Sequence, residues 1–304
     1  MKISIYGVGR VGSTIAFTIV TNGLADELLL VNRTPAIAEG EAIDLSHAAA
    51  FVPHRVRVLA GDLSDTAGSD VIVVTASVPF GSRHNTRLDM ARGNLRLFEE
   101  CIPKLAEASP EAILLIVTNP VDVMTWFALQ FSGFPAARVI GSGTLLDSGR
   151  YRALLSEELG IHPDDIRAYI LGEHGDTQFA ALSVALSGGR RIDRSDAAER
   201  LFEQTVRSGY EIMQRKGHTN FAIAMAVRLM LESIVDDGRR TMPVCTRIED
   251  YQGVNDVCLS VPAVLGRGGI TRIVLPALSE EEAAQFRRCA TVVRAAIEQC
   301  QLGI

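Results

Sequence analysis

The segment LGEHGDTQF places an imidazole between two carboxylates. His174 lies between Glu173 and Asp176, with Gly172 before Glu173 and Gly175 directly after His174. Histidine is the side chain whose ordinary pKa lies closest to neutrality, so it can both donate and accept protons near neutral pH. A proton-transferring histidine needs a carboxylate on its second ring nitrogen, but neighbours in an extended segment point to opposite faces. We therefore look for the partner of His174 elsewhere in the chain.

A second cluster, GSGTLLDSGRYR, supplies Asp147 and Arg150. Their spacing of three places them on one face of a helix. From that face Asp147 could orient the His174 ring, while the planar guanidinium of Arg150 binds a substrate carboxylate through two parallel hydrogen bonds. The spacing fits a surface ion pair of little energetic consequence equally well. The residues alone leave both interpretations open.

The N-terminal residues contain the pattern G-x-G-x-x-G between a predicted strand and a predicted helix, which is the context that gives the pattern meaning. There the glycines permit a tight turn, a close approach of a diphosphate to the backbone, and close packing of helix on strand. The residues of the pattern are Gly7, Val8, Gly9, Arg10, Val11 and Gly12. They predict a dinucleotide-binding site.

The end of the second predicted strand bears on which dinucleotide binds. An NAD site normally places Asp or Glu about 20 residues after the glycines, where it binds the ribose 2′-hydroxyl. This chain has Asn32, Arg33 and Thr34 there. Because no carboxylate would repel a 2′-phosphate and a guanidinium can bind one, the sequence favours NADP(H) over NAD(H). An Arg33 that points to solvent would instead leave a site open to both.

Composition narrows the classes of partner. The net charge is −6, so the basic surface needed for nucleic acid or anionic membranes is not expected. No apolar run approaches the ~20 residues that span a bilayer, and the N-terminal residues lack the pattern expected of a secretion signal. The five cysteines show neither metal-ligand nor disulfide spacing. We expect a cytoplasmic protein that binds small molecules, without a metal and without nucleic-acid or membrane partners.

The elements that must position these residues follow an alternating pattern in the first half. Apolar runs such as KISIY, VIVVT and ILLIVT alternate with amphipathic helical patterns. Repeated strand, helix, strand units predict an α/β fold, a Rossmann domain with a doubly wound parallel sheet, over residues 1–143. Long helices and hairpin-like strands then predict an α+β substrate domain over residues 144–304.

Together, the motifs resemble the L-lactate/malate dehydrogenase family. They are GVGRVG, TRLDMARGN, VTNPVDV, GSGTLLDSGR, LGEHGD, KGHTNFAIA and VCLSVPAVLGRGG, which follow the family's order over essentially the whole chain. The resemblance implies an oxidoreductase that transfers a hydride between a nicotinamide cofactor and a small 2-oxo or L-2-hydroxy acid. It also makes Asp147 and Arg150 expected members of the site rather than a surface pair.

The resemblance implies a role for each matching position. His174 would transfer the proton with Asp147 as its partner, and Arg150 would bind the substrate carboxylate. Arg87, on a mobile loop, would polarise the substrate carbonyl when that loop closes, and Asn119 would hydrogen-bond the substrate beside the nicotinamide. The further positions assigned to the cofactor site are Thr75, Ala76, Asn94 and Val117.

The substrate-selecting segment departs from the family pattern. Lactate-type members look like A-x-Q-K-P-G-E-T-R and malate-type members like R-K-P-G-M-x-R, whereas this chain reads SVPFGSRHNTR. The selecting position falls on Phe80 or Gly81, depending on the direction of alignment, and neither offers a charge for a second carboxylate. Thr219 matches the residue that lactate-type enzymes place beside the substrate's C3 group. We therefore expect a substrate like pyruvate or a bulkier 2-oxo acid, although an inward Arg83 would restore malate-like selection.

Three alternatives and the oligomeric state complete the predictions. Malate dehydrogenase activity is the alternative within the class, and a catalytically silent nucleotide-binding protein on the same fold is the alternative outside it. The set of charged site residues argues against a silent protein, because burying charges costs desolvation energy. A cofactor-dependent glycosidase would need a metal-ligand cluster that the sequence does not show. Family members are dimers or tetramers, and helices around residues 36–51 and 219–235 carry apolar faces suited to such an interface.

Overall fold

The computed structural model describes residues 1–78 and 87–302, and the first half of the chain forms a parallel sheet. Its strands are β1 (Lys2–Tyr6), β2 (Glu27–Val31), β3 (Arg57–Gly61), β4 (Val71–Val74), β5 (Ile113–Ile116) and β6 (Val139–Gly141). They lie in the order β3, β2, β1, β4, β5, β6, and every neighbouring pair is parallel. This order is the Rossmann topology, so the predicted fold is confirmed.

Helices cover both faces of this parallel sheet. They are α1 (Arg10–Asn22), α2 (Pro35–Ala48), α3 (Arg87–Ala108) and α4 (Val121–Ser132). Alternate residues of β2 enter different cores: Leu28 and Leu30 pack with residues of α1 and α2, and Leu29 and Val31 pack with residues of α3 and α4. Burial on both faces explains why these strands are continuous apolar runs. Because helices cover both faces, ligands can reach the sheet only at its edges.

The second half contains several short strands and a set of longer elements. The short strands form two small sheets and are β7 (Ile166–Arg167), β8 (Ile170–Leu171), β9 (Phe179–Ala180), β10 (Leu186–Ser187) and β11 (Arg190–Arg191). The long elements are α5 (Leu145–Leu159), α6 (Asp196–Lys216), α7 (Phe221–Val235), β12 (Arg240–Ile248), β13 (Val257–Gly266), β14 (Gly269–Ile273) and α8 (Glu280–Gln301). In the described part of the chain, no helix combines the length and apolar character that crossing a membrane requires.

The hairpin strands of the second half extend the parallel sheet. Strand β12 pairs antiparallel with β6, with Cys245 opposite Gly141, and β13 and β14 follow beyond it. The result is one nine-stranded sheet in the order β14, β13, β12, β6, β5, β4, β1, β2, β3. The join is close, because a Cβ added at Gly141 would lie 2.9 Å from the Cβ of Cys245. The proposed domain boundary between residues 143 and 144 thus lies beside a join within a continuous sheet.

Candidate active site

Four loops of the first half meet at the carboxyl edge of the parallel strands. The glycine-rich loop follows β1, Thr75 and Ala76 follow β4, Val117 and Asn119 follow β5, and the segment that leads into α5 follows β6. In doubly wound sheets, ligands bind at this edge where the strand order reverses. That reversal lies between β1 and β4. The topology therefore carries the predicted cofactor residues and the start of α5 to the same edge.

The backbone of the glycine-rich loop fits a bound diphosphate. Gly7 has a φ of 107°, and a Cβ added there would lie 2.3 Å from the backbone nitrogen of Ala76. A Cβ added at Gly12 would lie 2.2 Å from the carbonyl oxygen of Gly7, which accepts a hydrogen bond from Thr75. Gly9 differs, because no atom of the described residues, its chain neighbours apart, lies within 4 Å of a Cβ added there. Side chains are thus excluded beneath the loop, and open space remains in front of it for the anion at the start of α1.

The loop after β2 presents polar groups to the position expected for the adenosine ribose. The side-chain oxygen of Asn32 accepts a hydrogen bond of 2.9 Å from the backbone N–H of Thr34. Arg33 and Thr34 are both exposed. The structure therefore leaves the Arg33 guanidinium accessible, with no carboxylate at these three positions.

Asn94 lies beneath the cofactor edge rather than on its surface. Its side chain is fully buried and donates hydrogen bonds of 2.7 Å to the Asn119 carbonyl and 3.1 Å to the Ser77 hydroxyl. Its oxygen accepts a hydrogen bond of 2.7 Å from the backbone N–H of Val78. Because these protein groups occupy its amide, Asn94 supports the loops after β4 and β5. The assignment of Asn94 to the cofactor site stays a prediction.

His174, Asp147 and Arg150 meet as the chemistry of the sequence predicts. Nδ1 of His174 lies 2.5 Å from one carboxylate oxygen of Asp147, and Nη1 of Arg150 donates a hydrogen bond of 3.1 Å to the other. The Asp147 side chain is only 3% exposed, which excludes the surface ion pair that the spacing left open.

Electrostatics favours the charged form of both partners. Burial alone would raise the pKa of Asp147, but neighbouring His174 and Arg150 hold it below its usual value. Burial acts on His174 in the opposite sense, yet the carboxylate of Asp147 outweighs it and raises the pKa of the imidazole. The His174 side chain keeps 22% of its surface exposed. A proton can therefore be held on a ring that remains accessible.

Interactions between the second-half segments hold α5 against the His174 loop. Thr144, at the start of α5, donates a hydrogen bond of 2.5 Å to the carbonyl of Ile170. Gly172 and Ser260 exchange backbone hydrogen bonds of 3.0 and 2.8 Å. Gly172 has a φ of 88°, and a Cβ added there would lie 2.4 Å from the sulfur of Cys289. A glycine before His174 is thus needed for the turn and for close packing on α8.

Asp122 is a site residue that our sequence reasoning missed. It lies in the first turn of α4, is 2% exposed, and accepts a hydrogen bond of 2.7 Å from the backbone N–H of His174. Burial raises the pKa of Asp122 to about 7. Its place just after β5, at the carboxyl edge, was the signal that could have identified it.

The structure describes the remaining predicted site residues to different extents. Asn119 is exposed at the carboxyl edge, and Thr219 is half-buried in the loop between α6 and α7. Arg87 is described only as the first residue of α3. Phe80, Gly81 and Arg83 lie outside the described residues. Within the described residues, no group of three or more His, Cys, Asp or Glu side chains is arranged to hold a metal ion.

Helix α6 approaches Arg150 through a glycine. A Cβ added at Gly209 would lie 3.4 Å from Nη1 of Arg150. A side chain at this position would therefore contact the guanidinium of Arg150, the predicted carboxylate-binding group.

Comparison with known proteins matches nearly the whole chain. The model of the lactate/malate dehydrogenase NAD binding domain matches residues 1–141. The model of the lactate/malate dehydrogenase alpha/beta C-terminal domain matches residues 144–302. The chain therefore belongs to the lactate/malate dehydrogenase family, whose first domain binds NAD.

Within this family the chain is similar to lactate dehydrogenases. An L-lactate dehydrogenase of Thermoanaerobacter sp. (strain X514) is 41% identical over 311 residues, which cover 99% of each chain. L-lactate dehydrogenase A of Hordeum vulgare is 44% identical over 318 residues, 99% of this chain and 87% of the relative. A lactate dehydrogenase from a Medee basin deep-sea metagenome library has a TM-score of 0.94 at 32% identity, covering 99% of this chain and 98% of its own. The predicted family is confirmed, and the malate-type alternative is not favoured.

Proposed function

We propose that this protein reduces a small 2-oxo acid to the L-2-hydroxy acid and catalyses the reverse oxidation, with a nicotinamide cofactor bound at the carboxyl edge of the sheet. The observation that carries this proposal is the buried Asp147 carboxylate, bonded at once to His174 and Arg150. One carboxylate thereby orients both a proton donor and an anion-binding guanidinium. The names of the relatives support pyruvate and lactate as the substrate pair.

His174 carries the proton in this mechanism. Its Nδ1 is bonded to Asp147, so Nε2 is the nitrogen that faces the substrate oxygen. In reduction the imidazolium gives its Nε2 proton to the carbonyl oxygen. A bound nicotinamide would supply the hydride that the carbonyl carbon gains. Asp147 stays ionised and stabilises the imidazolium before the transfer. In oxidation neutral His174 takes the hydroxyl proton.

Two arginines complete the proposed machinery. The planar guanidinium of Arg150 binds the substrate 1-carboxylate through two hydrogen bonds and so fixes the reacting carbon relative to His174. Arg87 is assigned to polarisation of the carbonyl by its motif, TRLDM, alone. Asn119, exposed at the end of the loop after β5, is assigned to a hydrogen bond with the substrate.

We infer that the substrate carries an uncharged C3 group that can be larger than a methyl. The segment SVPFGSRHNTR supports the absence of charge, because neither Phe80 nor Gly81 offers a charge for a second carboxylate. Thr219 offers a hydroxyl and a methyl group but no positive charge, so it would not compensate a second carboxylate.

We propose further that the protein uses NADPH. The accessible Arg33 and the absence of a carboxylate at positions 32 to 34 support it. Comparison of kcat/KM for NADPH and NADH tests it, and a tenfold or larger preference for NADH would overturn it. Asn32→Asp supplies the matching control, because a carboxylate there should suppress NADPH use and leave NADH use intact.

The function as a whole is tested by a substrate panel. Pyruvate, 2-oxoisocaproate, phenylpyruvate and oxaloacetate are each assayed with NADH and NADPH. We expect turnover of at least one monocarboxylic 2-oxo acid at a higher kcat/KM than oxaloacetate. His174→Asn should reduce the best kcat by about 10² to 10⁴, since general acid catalysis is lost. Silence of the wild-type protein across the panel would instead support a nucleotide-binding protein without catalysis.

We also propose that the protein works as a cytoplasmic homo-oligomer. Apolar side chains are exposed on neighbouring helices of the first half, as on Ile43 at 59% exposure and Phe17 at 52%. All five cysteines are free and buried, which suits a reducing compartment.

A further inference from the structure

Two side-chain contacts fasten the loop between α6 and α7 to the start of α1. Nη1 of Arg10 lies 3.0 Å from Nδ1 of His218, although the two residues are 208 positions apart. Close by, Asn220 donates a hydrogen bond of 2.8 Å to the hydroxyl of Thr14. Thr219, the predicted substrate-pocket residue, lies between His218 and Asn220. The glycine-rich loop and this part of the substrate pocket are therefore physically joined.

The contact between Arg10 and His218 determines whether Nδ1 of His218 donates or accepts a hydrogen bond. A guanidinium has only hydrogen-bond donors, so Nδ1 of His218 must accept with its lone pair. The same nitrogen lies 3.1 Å from the carbonyl oxygen of Lys216, to which it could bond only as an N–H. The two bonds exclude each other. When Arg10 is held, Nδ1 of His218 therefore carries no proton.

Arg10 keeps its full positive charge in this arrangement. A neutral imidazole orients the guanidinium without compensating it, and among the described residues no carboxylate forms an ion pair with Arg10. Lys216, the neighbouring cation, directs its ammonium group to Asn220 and over the ring of Phe221. The cationic end of Arg10 is thus positioned but left available for an anion.

The position of Arg10 identifies the class of that anion. Arg10 is the first residue of α1 and directly follows Gly9, in front of which the structure leaves open space. In this motif the space receives the diphosphate of a dinucleotide, at the positive end of the helix. A guanidinium held there can pair with one of its phosphate groups through two hydrogen bonds.

We propose that His218 is a positioning residue for the cofactor: its neutral Nδ1 holds the Arg10 guanidinium at the glycine-rich loop, where that group binds the diphosphate. The same contact makes the bound cofactor stabilise the loop that carries Thr219. His218 belongs to the second half of the chain, so it links cofactor binding to the substrate pocket. This inference rests on the proposed function only in requiring that a nicotinamide dinucleotide binds.

Cofactor affinity tests the proposal. His218→Leu removes the acceptor, whereas His218→Asn keeps an acceptor oxygen near the position of Nδ1. Titration of NADH by fluorescence should give a Kd about tenfold higher for H218L, and a Kd close to that of the wild type for H218N. ADP-ribose, which contains the diphosphate, should lose affinity for H218L as NADH does, but adenosine should not. His162→Leu, at an exposed histidine of the second half, is the matched control and should bind NADH like the wild type.

A double-mutant cycle and a kinetic measurement separate positioning from general disruption. Arg10→Ala should weaken NADH binding at least as much as H218L, and adding H218L to R10A should weaken it no further. At saturating NADH, H218L should raise the KM for the 2-oxo acid more than it lowers kcat, and H218N should reverse that rise. An unchanged Kd in H218L, or additive losses in the cycle, would overturn this inference alone. Failure of the wild-type protein to bind NADH or NADPH would overturn the proposed function as well.

Discussion

At the scale of single residues, His174 is held by two carboxylates with different tasks. Asp147 contacts the ring and stabilises its charged form, whereas Asp122 contacts only the backbone N–H. The ring and the main chain of the same residue are thus positioned from separate helices, α5 and α4. Both carboxylates are buried. Water therefore cannot replace either of them, and His174 would lose part of its support if one were removed.

The rate of reduction is expected to fall as pH rises through the elevated pKa of His174, because only the imidazolium donates a proton. Oxidation of the 2-hydroxy acid should show the opposite trend over the same interval, because it needs the neutral ring. Asp147→Asn removes the charge that raises this pKa, so the midpoints of both profiles should move to lower pH. Profiles of kcat/KM against pH for the wild type and D147N measure the shift. Coincident midpoints would contradict the role given to Asp147.

Arg150→Lys is expected to raise the KM for the 2-oxo acid by about tenfold or more, because an ammonium group cannot form two parallel hydrogen bonds with a carboxylate. It should leave the Kd for NADH unchanged, since Arg150 lies on α5 rather than on the cofactor loops. Steady-state kinetics and a cofactor titration give both quantities. A KM equal to that of the wild type would remove Arg150 from the substrate site.

At the scale of elements, the distance between α6 and α5 sets the space beside Arg150. Gly209→Ala adds a methyl group at 3.4 Å from the guanidinium, which is ordinary van der Waals contact. We expect it to lower kcat/KM for 2-oxoisocaproate several-fold relative to pyruvate, because one methylene of misfit in a pocket costs about 1–3 kcal/mol.

The matched control for this substitution is Gly40→Ala. Gly40 lies within α2, and in the part of the chain that the structure describes no atom outside its own helix turn lies within 4 Å of an added Cβ there. That variant should leave the substrate ratio unchanged and stabilise the protein by about 0.4–1 kcal/mol, measured by thermal or denaturant unfolding. Equal substrate ratios in both variants would show that Gly209 does not line the pocket.

Elements and site were predictable from the sequence to different degrees. The VIVV strand and the helix around Asp147 follow from local periodicity. Asp147 was a candidate because a catalytic imidazole requires a carboxylate, and the family resemblance made it the expected partner. Asp122 was not predicted, because its bond to a backbone N–H depends on how α4 packs against a distant loop. The position of Cys245, opposite Gly141 where β12 joins the sheet, was not predicted either, because it depends on pairing between segments about 100 residues apart. Local patterns do not encode such contacts.

At the scale of the whole molecule, exposed apolar side chains gather on neighbouring helices. Phe17 of α1, Ile43 of α2 and Met225 of α7 are each at least half exposed, and α1 packs against both other helices. Phe51, just after α2, is 90% exposed. Isolated apolar residues on a surface are ordinary, but a contiguous group favours contact with another chain.

Replacement of Ile43 and Phe51 by Glu is therefore expected to lower the oligomeric mass, because burying two carboxylates in an apolar interface is unfavourable. Light scattering coupled to size-exclusion chromatography measures the mass. Leu302→Glu is a matched control, because Leu302 is 87% exposed but lies at the end of α8. An unchanged mass in the double variant would place the interface elsewhere.

The antiparallel pairing of β6 with β12 has a consequence for how the chain can be divided. A fragment that ends at residue 143 would keep every strand of the Rossmann arrangement but would expose the hydrogen-bonding groups along β6 and the apolar faces that β12 and α7 cover. An open strand of this kind recruits other chains. We expect the isolated fragment to aggregate, as judged by sedimentation, and to regain solubility when residues 144–304 are supplied during refolding. The nucleotide-binding half would then be a recognisable domain of the family that does not fold on its own.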